Sequence, residues 1–369
     1  MNEKTTGNPS WNRTASWRRI LLILLVLAPT VIAARTMAAL LPSRGGTLLE
    51  AVLVVVFAVL FAWISVGFWT AAMGFFLLLS KNNRFSVSRA AAGKNLSIDD
   101  PAARTAVLIP ICNEDVKRVL AGLRTVYRSL WNTGSLERFD FFLLSDTTDP
   151  DVWVEEEDGW RQFCREENAS GKVFYRKRSG NSRRKSGNVA DFCRRWGKNY
   201  RYMIVFDADS IMSGATMVRM VQSMEARRDI GILQTPPSGV NRETLIARVQ
   251  QFANHVYGPM FAAGLHFWQL GDAQYWGHNA IIRVEPFMKF CQMPRLPGRG
   301  PLGGDILSHD FVESALMRRA GYGVWLAYDL EGSWEETPPT LLDELKRDRR
   351  LCQGNLQHMH LIFTRGLFP

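Results

Sequence analysis

Two long apolar runs near the N-terminus constrain this chain more than any other feature of its sequence. Residues 20–41 form the first run, and residues 51–79 form a second run that contains no charged side chain. At about 1.5 Å per residue, the first run would make a helix roughly 33 Å long, enough for the ~30 Å hydrocarbon core of a bilayer. A secretory signal peptide would have a shorter polar lead and no second apolar run close behind it. The sequence therefore predicts transmembrane helices at 20–41 and 51–79.

The basic residues around these runs predict their orientation. Most of them precede the first run or follow the second: Arg13, Arg18, Arg19, Lys81, Arg84, Arg89 and Lys94. The short connection between the runs carries only Arg44, with Arg35 close by. Because positively charged flanks remain in the cytoplasm, we predict that residues 1–19 and everything after Lys81 are cytoplasmic.

The net charge limits the classes of partner, and the cysteine pattern argues against disulfides and zinc sites. The chain has 369 residues and a formal net charge of +10, which favours an anionic partner such as a phosphate ligand, an acidic membrane surface or nucleic acid. Nucleic acid is the least favoured, because the most basic segment lacks interleaved aromatic residues that would stack on bases. The five cysteines are scattered without a CxxC pair, so neither a disulfide framework nor a zinc site is indicated.

The region after a predicted linker at 81–104 has the pattern of an α/β domain. Short apolar runs, typical of buried strands, alternate with segments of helical periodicity. The predicted strands are 106–110, 139–144, 172–175 and 202–206, and the predicted helices include 116–130 and 189–196. This alternation favours a mostly parallel sheet covered on both faces, in which ligands bind beyond the carboxyl ends of the strands.

Acidic residues follow two of the predicted strands. In an extended backbone, Asp207 and Asp209 would point to the same side of the chain, where both carboxylates could hold a hard cation such as Mg²⁺. Two turn-forming aspartates at the end of a strand explain the same residues equally well. Asp146 and Asp149 have the same ambiguity, but two acidic strand ends in a basic domain favour a site for a nucleotide and a metal ion.

Two further segments have both a functional and a structural interpretation. The basic, Gly/Ser-rich loop predicted at 176–188 could contact a diphosphate through Lys185, with Gly187 allowing close backbone approach; a solvated loop is the alternative. Asp310 and Glu313 have the spacing of a helix-capping arrangement. A capping residue at the start of a helix, as Asp310 would be, is also oriented and partly exposed, as a general base must be.

Arginines and aromatic residues complete the candidates. Arg349 and Arg350 lie on a charged helical stretch, where a solvated face and a phosphate clamp are the alternatives. Trp276 and His278 belong to a segment of aromatic residues and glycine, which is typical of sugar sites and also of packed cores.

Taken in order, these motifs resemble the family-2 glycosyltransferases, which are inverting enzymes with a Rossmann-like, mostly parallel GT-A fold. The nearest resemblance is to the glucans biosynthesis glucosyltransferase H family, which makes osmoregulated periplasmic glucans in Gram-negative bacteria. It extends over about 105–363 and is carried by VLIPICNED, FLLSDTTDPD, RKRSGNSRRKSGNVADF, FDADSIMSG, QYWGHNAIIR, LSHDFVESALMRRAGYGVW and ELKRDRR. The ordered series is far more specific than a lone DxD.

The resemblance implies a role for each candidate residue. Those expected to contact the UDP-glucose donor are Asn113, Glu114, Asp146, Lys185, Arg349 and Arg350. Asp207 and Asp209 would hold Mg²⁺ or Mn²⁺ on the diphosphate, and Asp310 would be the general base. Trp276 and His278 would contact the glucan acceptor. The resemblance also implies a multi-pass protein of the bacterial inner membrane with its catalytic domain in the cytoplasm.

The chain departs from this family in two respects. Leu351 stands where processive synthases have the tryptophan that stacks under the acceptor sugar, a contact of about 1 kcal/mol by analogy with aromatic pairs. Family members also continue into further transmembrane helices, so we expect a GT-A domain at 105–355 and, at 356–369, the start of a membrane-proximal segment of a truncated chain. The alternatives to β-glucan synthesis are another membrane polysaccharide or lipid-linked sugar transferase, and a non-catalytic membrane component.

Overall fold

The computed structural model describes residues 10–80, 83–92, 103–298 and 302–362. Within these ranges the chain forms two compact units. One unit contains the residues up to 85 together with 257–271, and the other contains 86–256 and the residues from 272 onward. The predicted segment at 356–369 lies partly outside the described residues.

The first unit contains two long apolar helices, α1 (Ser10–Leu40) and α2 (Leu48–Ser80). Both are long and apolar enough to cross a membrane, with mean hydropathies of 2.3 and 2.7 over their most apolar stretches. Helix α1 begins ten residues before the predicted boundary at 20, because Trp11 and Ala15 are buried within this unit and extend its packed face. The two predicted helices are therefore present, and their insertion in a bilayer stays a prediction.

Glycines allow α2 to pack closely against the last part of α8 (Leu245–Gln269) in the same unit. A Cβ atom at Gly74 would lie 1.8 Å from the carbonyl oxygen of Met260, and one at Gly264 would lie 1.9 Å from that of Thr70. No side chain fits at either position. Small residues at such contacts are characteristic of helices that pack within membranes.

The second unit is built on a seven-stranded sheet with the order β3-β2-β1-β4-β8-β6-β9. Strands β5, β10 and β7 form a separate small sheet. The strands, in chain order, are β1 (Thr105–Ile111), β2 (Phe139–Ser145), β3 (Val173–Lys177), β4 (Tyr202–Val205), β5 (Ile211–Met212), β6 (Ile230–Gln234), β7 (Ser238–Val240), β8 (Ala280–Arg283), β9 (Gly323–Leu326) and β10 (Ser333–Glu336). In the large sheet only β8 runs antiparallel to its neighbours, so the predicted mostly parallel sheet is confirmed.

Helices cover the sheet and connect its strands. The remaining helices are α3 (Val87–Ala92), α4 (Val116–Trp131), α5 (Pro150–Glu166), α6 (Arg184–Trp196), α7 (Gly214–Ala226), α9 (Val284–Phe290), α10 (His309–Arg319), α11 (Leu341–Gln357) and α12 (Met359–Ile362). Helix α3 lies inside the segment predicted as a linker. The hydroxyl groups of Ser86 and Ser88 donate hydrogen bonds to Asp329, so the linker prediction is wrong for this part of the segment.

The basic loop predicted at 176–188 is also partly wrong, because its last five residues form the first turns of α6. Two buried residues explain the helix. Asn188 donates a hydrogen bond of 2.8 Å to the carbonyl oxygen of Leu144 at the end of β2. A Cβ atom at Gly187 would lie 2.1 Å from the carbonyl oxygen of Ser182, so the preceding loop folds directly onto the helix. The composition of the loop could not reveal these contacts.

Candidate active site

Asp207 and Asp209 lie on a tight turn directly after β4, not on the extended backbone that the sequence suggested. The backbone N–H of Ser210 donates to the carbonyl oxygen of Asp207 at 3.1 Å, and the N–H of Asp207 donates to the Ser210 hydroxyl at 3.0 Å. Burial and the neighbouring Asp207 carboxylate raise the pKa of Asp209. The two carboxylates therefore share one environment, although the turn and not a common strand face brings them together.

Lys185 lies in the first turn of α6 and supplies a cation to this pair. Its ammonium group forms an ion pair with Asp207 and donates a hydrogen bond of 2.8 Å to the carbonyl oxygen of Gly277. Burial alone would raise the pKa of Asp207, but Lys185, with smaller contributions from His278 and Arg350, lowers it to about 2. Asp207 is thus fully ionised at neutral pH.

The antiparallel strand β8 explains why Gly277 lies beside these aspartates. In the register of the sheet, Ala280 at the start of β8 pairs with Val205 at the end of β4. The residues that precede β8 therefore meet the turn that follows β4. Gly277 adopts a φ of +91°, a left-handed conformation that favours glycine.

Asp310 also lies next to Gly277. A Cβ atom at Gly277 would lie 3.3 Å from Asp310 Oδ2, so the carboxylate and this backbone are almost in contact. Helix α10 begins at His309, its preceding residue Ser308 makes no side-chain capping bond, and Glu313 is bonded to the His309 ring at 3.1 Å. The predicted capping arrangement is therefore wrong. Within the described residues the Asp310 carboxylate makes no hydrogen bond or ion pair, which leaves it available to a substrate hydroxyl.

The region after β1 and β2 contains the residues expected to contact a nucleotide. Asn113, with a φ of +56°, accepts hydrogen bonds through its side-chain oxygen from the backbone N–H groups of Thr148 and Asp149, at 3.0 and 3.1 Å. Burial and the nearby Asp209 carboxylate raise the pKa of Glu114. The loop after β1 is therefore fixed to the loop after β2 and extends toward Asp207 and Asp209.

Asp146 has a partner that the sequence did not indicate. Both of its carboxylate oxygens accept hydrogen bonds from Arg178, at 2.5 and 2.6 Å, and both side chains are more than nine-tenths buried. Arg178 also donates to the carbonyl oxygen of Arg184, which precedes Lys185. The position of Arg178 just after β3 could have indicated this pairing. The basic segment contains several arginines, however, and the sequence does not distinguish among them. Asp149, by contrast, caps α5, as its turn-forming interpretation predicted.

Helix α11 contributes less to the site than the resemblance implied. Arg349 and Arg350 are both exposed, and Arg350 is near enough to help lower the pKa of Asp207. In the described part of the chain, Arg349 makes no ion pair with the site's carboxylates. Leu351 is 40% exposed and provides no aromatic platform.

The end of α11 is fixed to the loop that leads into Asp310. Gln357 accepts a hydrogen bond of 2.9 Å from the backbone N–H of Leu307, and His358 contacts the carbonyl oxygen of Ser308 at 2.9 Å. Gly354 packs so closely that a Cβ atom there would lie 2.1 Å from the Ser308 hydroxyl. The position of Asp310 therefore depends on α11.

Replacing Gly354 with alanine should displace this loop and lower catalytic turnover. The added methyl would collide with Ser308, and such overpacking lowers the free energy of unfolding by about 1–3 kcal/mol. The higher helix propensity of alanine offsets about 1 kcal/mol of this loss. We expect kcat to fall at least about tenfold with little change in UDP affinity. The matched control is Gly122→Ala on α4, where nothing lies within 4 Å and the helix should be slightly stabilised. Unchanged kcat in Gly354→Ala would contradict the positioning role.

The candidate metal ligands fit a small hard cation. Within the described ranges, no three histidine, cysteine or acidic side chains converge as a ready-made metal cage. Two adjacent carboxylates suffice for Mg²⁺, because this ion usually retains waters and completes its octahedron with substrate phosphates. Asp207 and Asp209 therefore match a metal site that is finished by a bound diphosphate.

Comparison with known proteins decides the family. The profile described as Glycosyl transferase family 2 matches residues 106–291, just over half of the chain. This chain belongs to glycosyl transferase family 2. The matched region includes Asp146, Asp207, Asp209 and His278, and together with the sheet it confirms the predicted GT-A fold.

Curated relatives confirm the narrower resemblance. A protein of Cupriavidus pinatubonensis named glucans biosynthesis glucosyltransferase H is 58% identical over 356 residues, which cover 96% of this chain and 41% of the relative. A protein of the same name from Pseudomonas paraeruginosa is 53% identical over 381 residues, covering 97% of this chain and 44% of the relative. The chain thus spans less than half the length of these relatives. Among solved structures, a Pyrobaculum calidifontis mannosyltransferase in complex with GDP-Man and Mn²⁺ matches with a TM-score of 0.49 and 16% identity over 79% of this chain and 76% of its own.

Proposed function

We propose that this chain carries the catalytic domain of an inverting membrane glucosyltransferase that transfers glucose from UDP-glucose to a growing β-glucan. The observation that carries the proposal is the position of Gly277. Its carbonyl oxygen binds the lysine that pairs with Asp207, and its α-carbon lies against Asp310. A candidate base and the lysine that pairs with a candidate metal-binding carboxylate therefore both lie next to one residue.

This arrangement suits a single displacement at the anomeric carbon. Asp310 accepts the proton of an acceptor hydroxyl while the oxygen of that hydroxyl forms the new bond to C1 of glucose. The bond from C1 to the diphosphate oxygen breaks on the opposite face, and UDP leaves with the electron pair. A bound divalent cation would offset the charge that develops on the diphosphate. Lys185 and Arg350 add positive charge on the same side.

The ionised state of Asp207 favours divalent metal binding near neutral pH. With a pKa of about 2, this carboxylate needs no deprotonation to accept a cation. The ammonium group of Lys185 pairs with one carboxylate oxygen of Asp207. It would have to move toward the diphosphate when the ion binds. We infer Mg²⁺ or Mn²⁺ as the cofactor, because carboxylate and phosphate oxygens are ligands that both ions accept.

The two apolar helices and their basic flanks support an inner-membrane location with the catalytic unit in the cytoplasm. The close relatives bear the name of a glucan-synthesising enzyme, which supports glucose as the transferred sugar and a β-glucan as the acceptor. The proposal for this chain is limited to the sugar-transfer step, because the chain spans less than half the length of these relatives.

The direct test is incorporation of labelled glucose by membranes that contain this chain. We expect label from UDP-glucose to enter a glucan with Mg²⁺ and not with a chelator, and label from GDP-mannose or UDP-GlcNAc to remain in the donor. Linkage analysis of the product would separate a β-glucan from another polysaccharide or a lipid-linked sugar. Absence of transfer from every donor, with the protein folded and UDP bound, would favour a non-catalytic component.

A further inference from the structure

Helix α8 has an exposed apolar face on its first three turns. Four large apolar side chains form this face, and each of them is more than half exposed: Leu245, Val249, Phe252 and Val256. They follow one another at intervals of four, three and four residues, which places them along a single side of the helix. Contiguous exposed apolar surface of this kind marks a site of interaction with a protein or a membrane.

The opposite side of these turns is fixed to the second, catalytic unit. Ala247 is fully buried, and the side-chain oxygen of Asn254 accepts a hydrogen bond of 3.3 Å from the backbone N–H of Gly239 in β7. The side-chain nitrogen of Gln251 donates to the carbonyl oxygen of Arg242 at 3.3 Å. The helix cannot turn its apolar face inward without breaking these contacts, so a partner of the face has to come from outside the unit.

The chain itself connects this face to the proposed membrane helices. Val256 is the last residue of α8 in the catalytic unit, and Tyr257 is the first residue in the unit that contains α1 and α2. Helix α8 is continuous through this boundary. At about 1.5 Å per residue, Leu245 lies roughly 18 Å from Tyr257 along the helix, so the whole face is within reach of the bilayer in which α1 and α2 would lie.

The side chains of the face favour lipid over another apolar helix as the partner. Helices α2 and α8 approach each other through glycines, at Gly74 and Gly264, and small residues are typical of helix contacts within membranes. The apolar face of α8 has only leucine, valine and phenylalanine, which are residue types that are also exposed along α2. Large side chains of this kind suit contact with acyl chains.

The charge of α8 also matches a membrane surface. Residues 245–269 contain Arg248, His255 and His266 but no aspartate or glutamate. Arg248 and His255 are exposed, and the helical periodicity places both at one edge of the apolar face. An apolar face with basic side chains beside it is typical of helices that lie in the interface of anionic membranes.

We propose that the apolar face of α8 lies on a lipid bilayer and holds the catalytic unit against the membrane surface. The proposal rests on the proposed membrane location of α1 and α2, but it does not depend on sugar transfer or on the residues assigned to that reaction. The face would lie about 5–10 Å into the boundary between headgroups and acyl chains, the usual depth of an interfacial helix. Arg248 would then reach the phosphate groups of the same leaflet.

Three valines of similar exposure allow a matched test of this contact. Val249 on α8 is 58% exposed, Val59 on α2 is 64% exposed and Val154 on α5 is 56% exposed. The variants Val249→Cys, Val59→Cys and Val154→Cys are made in the full chain, in which the exposed cysteines are removed by Cys112→Ser and Cys352→Ser. Each variant is spin-labelled in vesicles of phosphatidylethanolamine and phosphatidylglycerol. Electron paramagnetic resonance then measures how often the label collides with oxygen, which concentrates in lipid, and with a nickel chelate, which remains in water.

We expect the ratio of oxygen to nickel collisions at Val249 to be severalfold higher than at Val154, toward the value at Val59. A ratio at Val249 equal to that at Val154 would show that the face is in water and would overturn the proposal. Low collision rates with both reagents would indicate a protein segment or a second copy of the chain on the face, which also overturns it. A low ratio at Val59 would refute the membrane location and this contact with it. Glucose transfer is not part of the measurement, so its failure would count against the proposed reaction alone.

Discussion

Replacing Asp310 with asparagine is expected to lower the rate of sugar transfer by about 10²- to 10⁴-fold, the usual contribution of general-base catalysis. The amide has nearly the same shape but cannot accept the proton of the acceptor hydroxyl. Because the carboxylate makes no hydrogen bond or ion pair in the described structure, its replacement should leave the fold intact. The Kd of UDP-glucose should remain unchanged, which isothermal titration calorimetry can measure alongside turnover.

Asp305→Asn is the matched control for this prediction. It makes the same chemical change five residues earlier, on a side chain that is 40% exposed and 3.6 Å from Arg295. Turnover in the control should stay within about twofold of wild type, since a surface ion pair contributes at most about 1 kcal/mol. If Asp310→Asn also kept most of its activity, Asp310 would not be the base.

Replacing Asp209 with alanine is expected to weaken metal and donor binding together. Loss of an outer-shell partner typically costs 10- to 100-fold in metal affinity, so loss of a direct ligand should cost on the order of 100-fold or more. Removing a carboxylate also relieves repulsion with Asp207, so thermal stability without metal should not fall. The measurement is UDP-glucose affinity across a Mg²⁺ titration, with the melting temperature recorded in parallel.

Asp158→Ala provides the comparison for Asp209→Ala, because Asp158 is an exposed residue on α5. Its metal dependence should match that of wild type. Unchanged UDP-glucose affinity of Asp209→Ala in saturating Mg²⁺ would contradict the metal role, whatever the effect on turnover. Because only Asp209 is a candidate ligand of the ion that holds the diphosphate, Asp209→Ala should weaken UDP binding, whereas Asp310→Asn should not.

The strands and most helices of the catalytic unit follow from local sequence patterns. β1, β2 and β4 were predicted to within two residues at each end, because uninterrupted apolar runs bounded by polar turns are typical of buried parallel strands. The acidic strand ends were recognisable for the same reason. Errors arose where a tertiary contact overrode a local pattern, as in the first turns of α6 and the start of α10.

The sequence by itself determined the apolar helices, the alternating α/β pattern and the candidate carboxylates, since each depends on residues close together in the chain. Only the tertiary structure decided which of them meet. Gly277 and Asp310, Glu335 and His278, and Gly354 and Ser308 are each separated by more than thirty residues. The contacts of Gly277 and His278 depend on the antiparallel insertion of β8 between β4 and β6, and that of Glu335 depends on the pairing of β10 in the small sheet. The contact between Gly354 and Ser308 depends on the packing of α11 against the loop before α10. Periodicity specifies which face of a strand is buried but not which strand lies next to it, so these neighbours could not be predicted from the pattern.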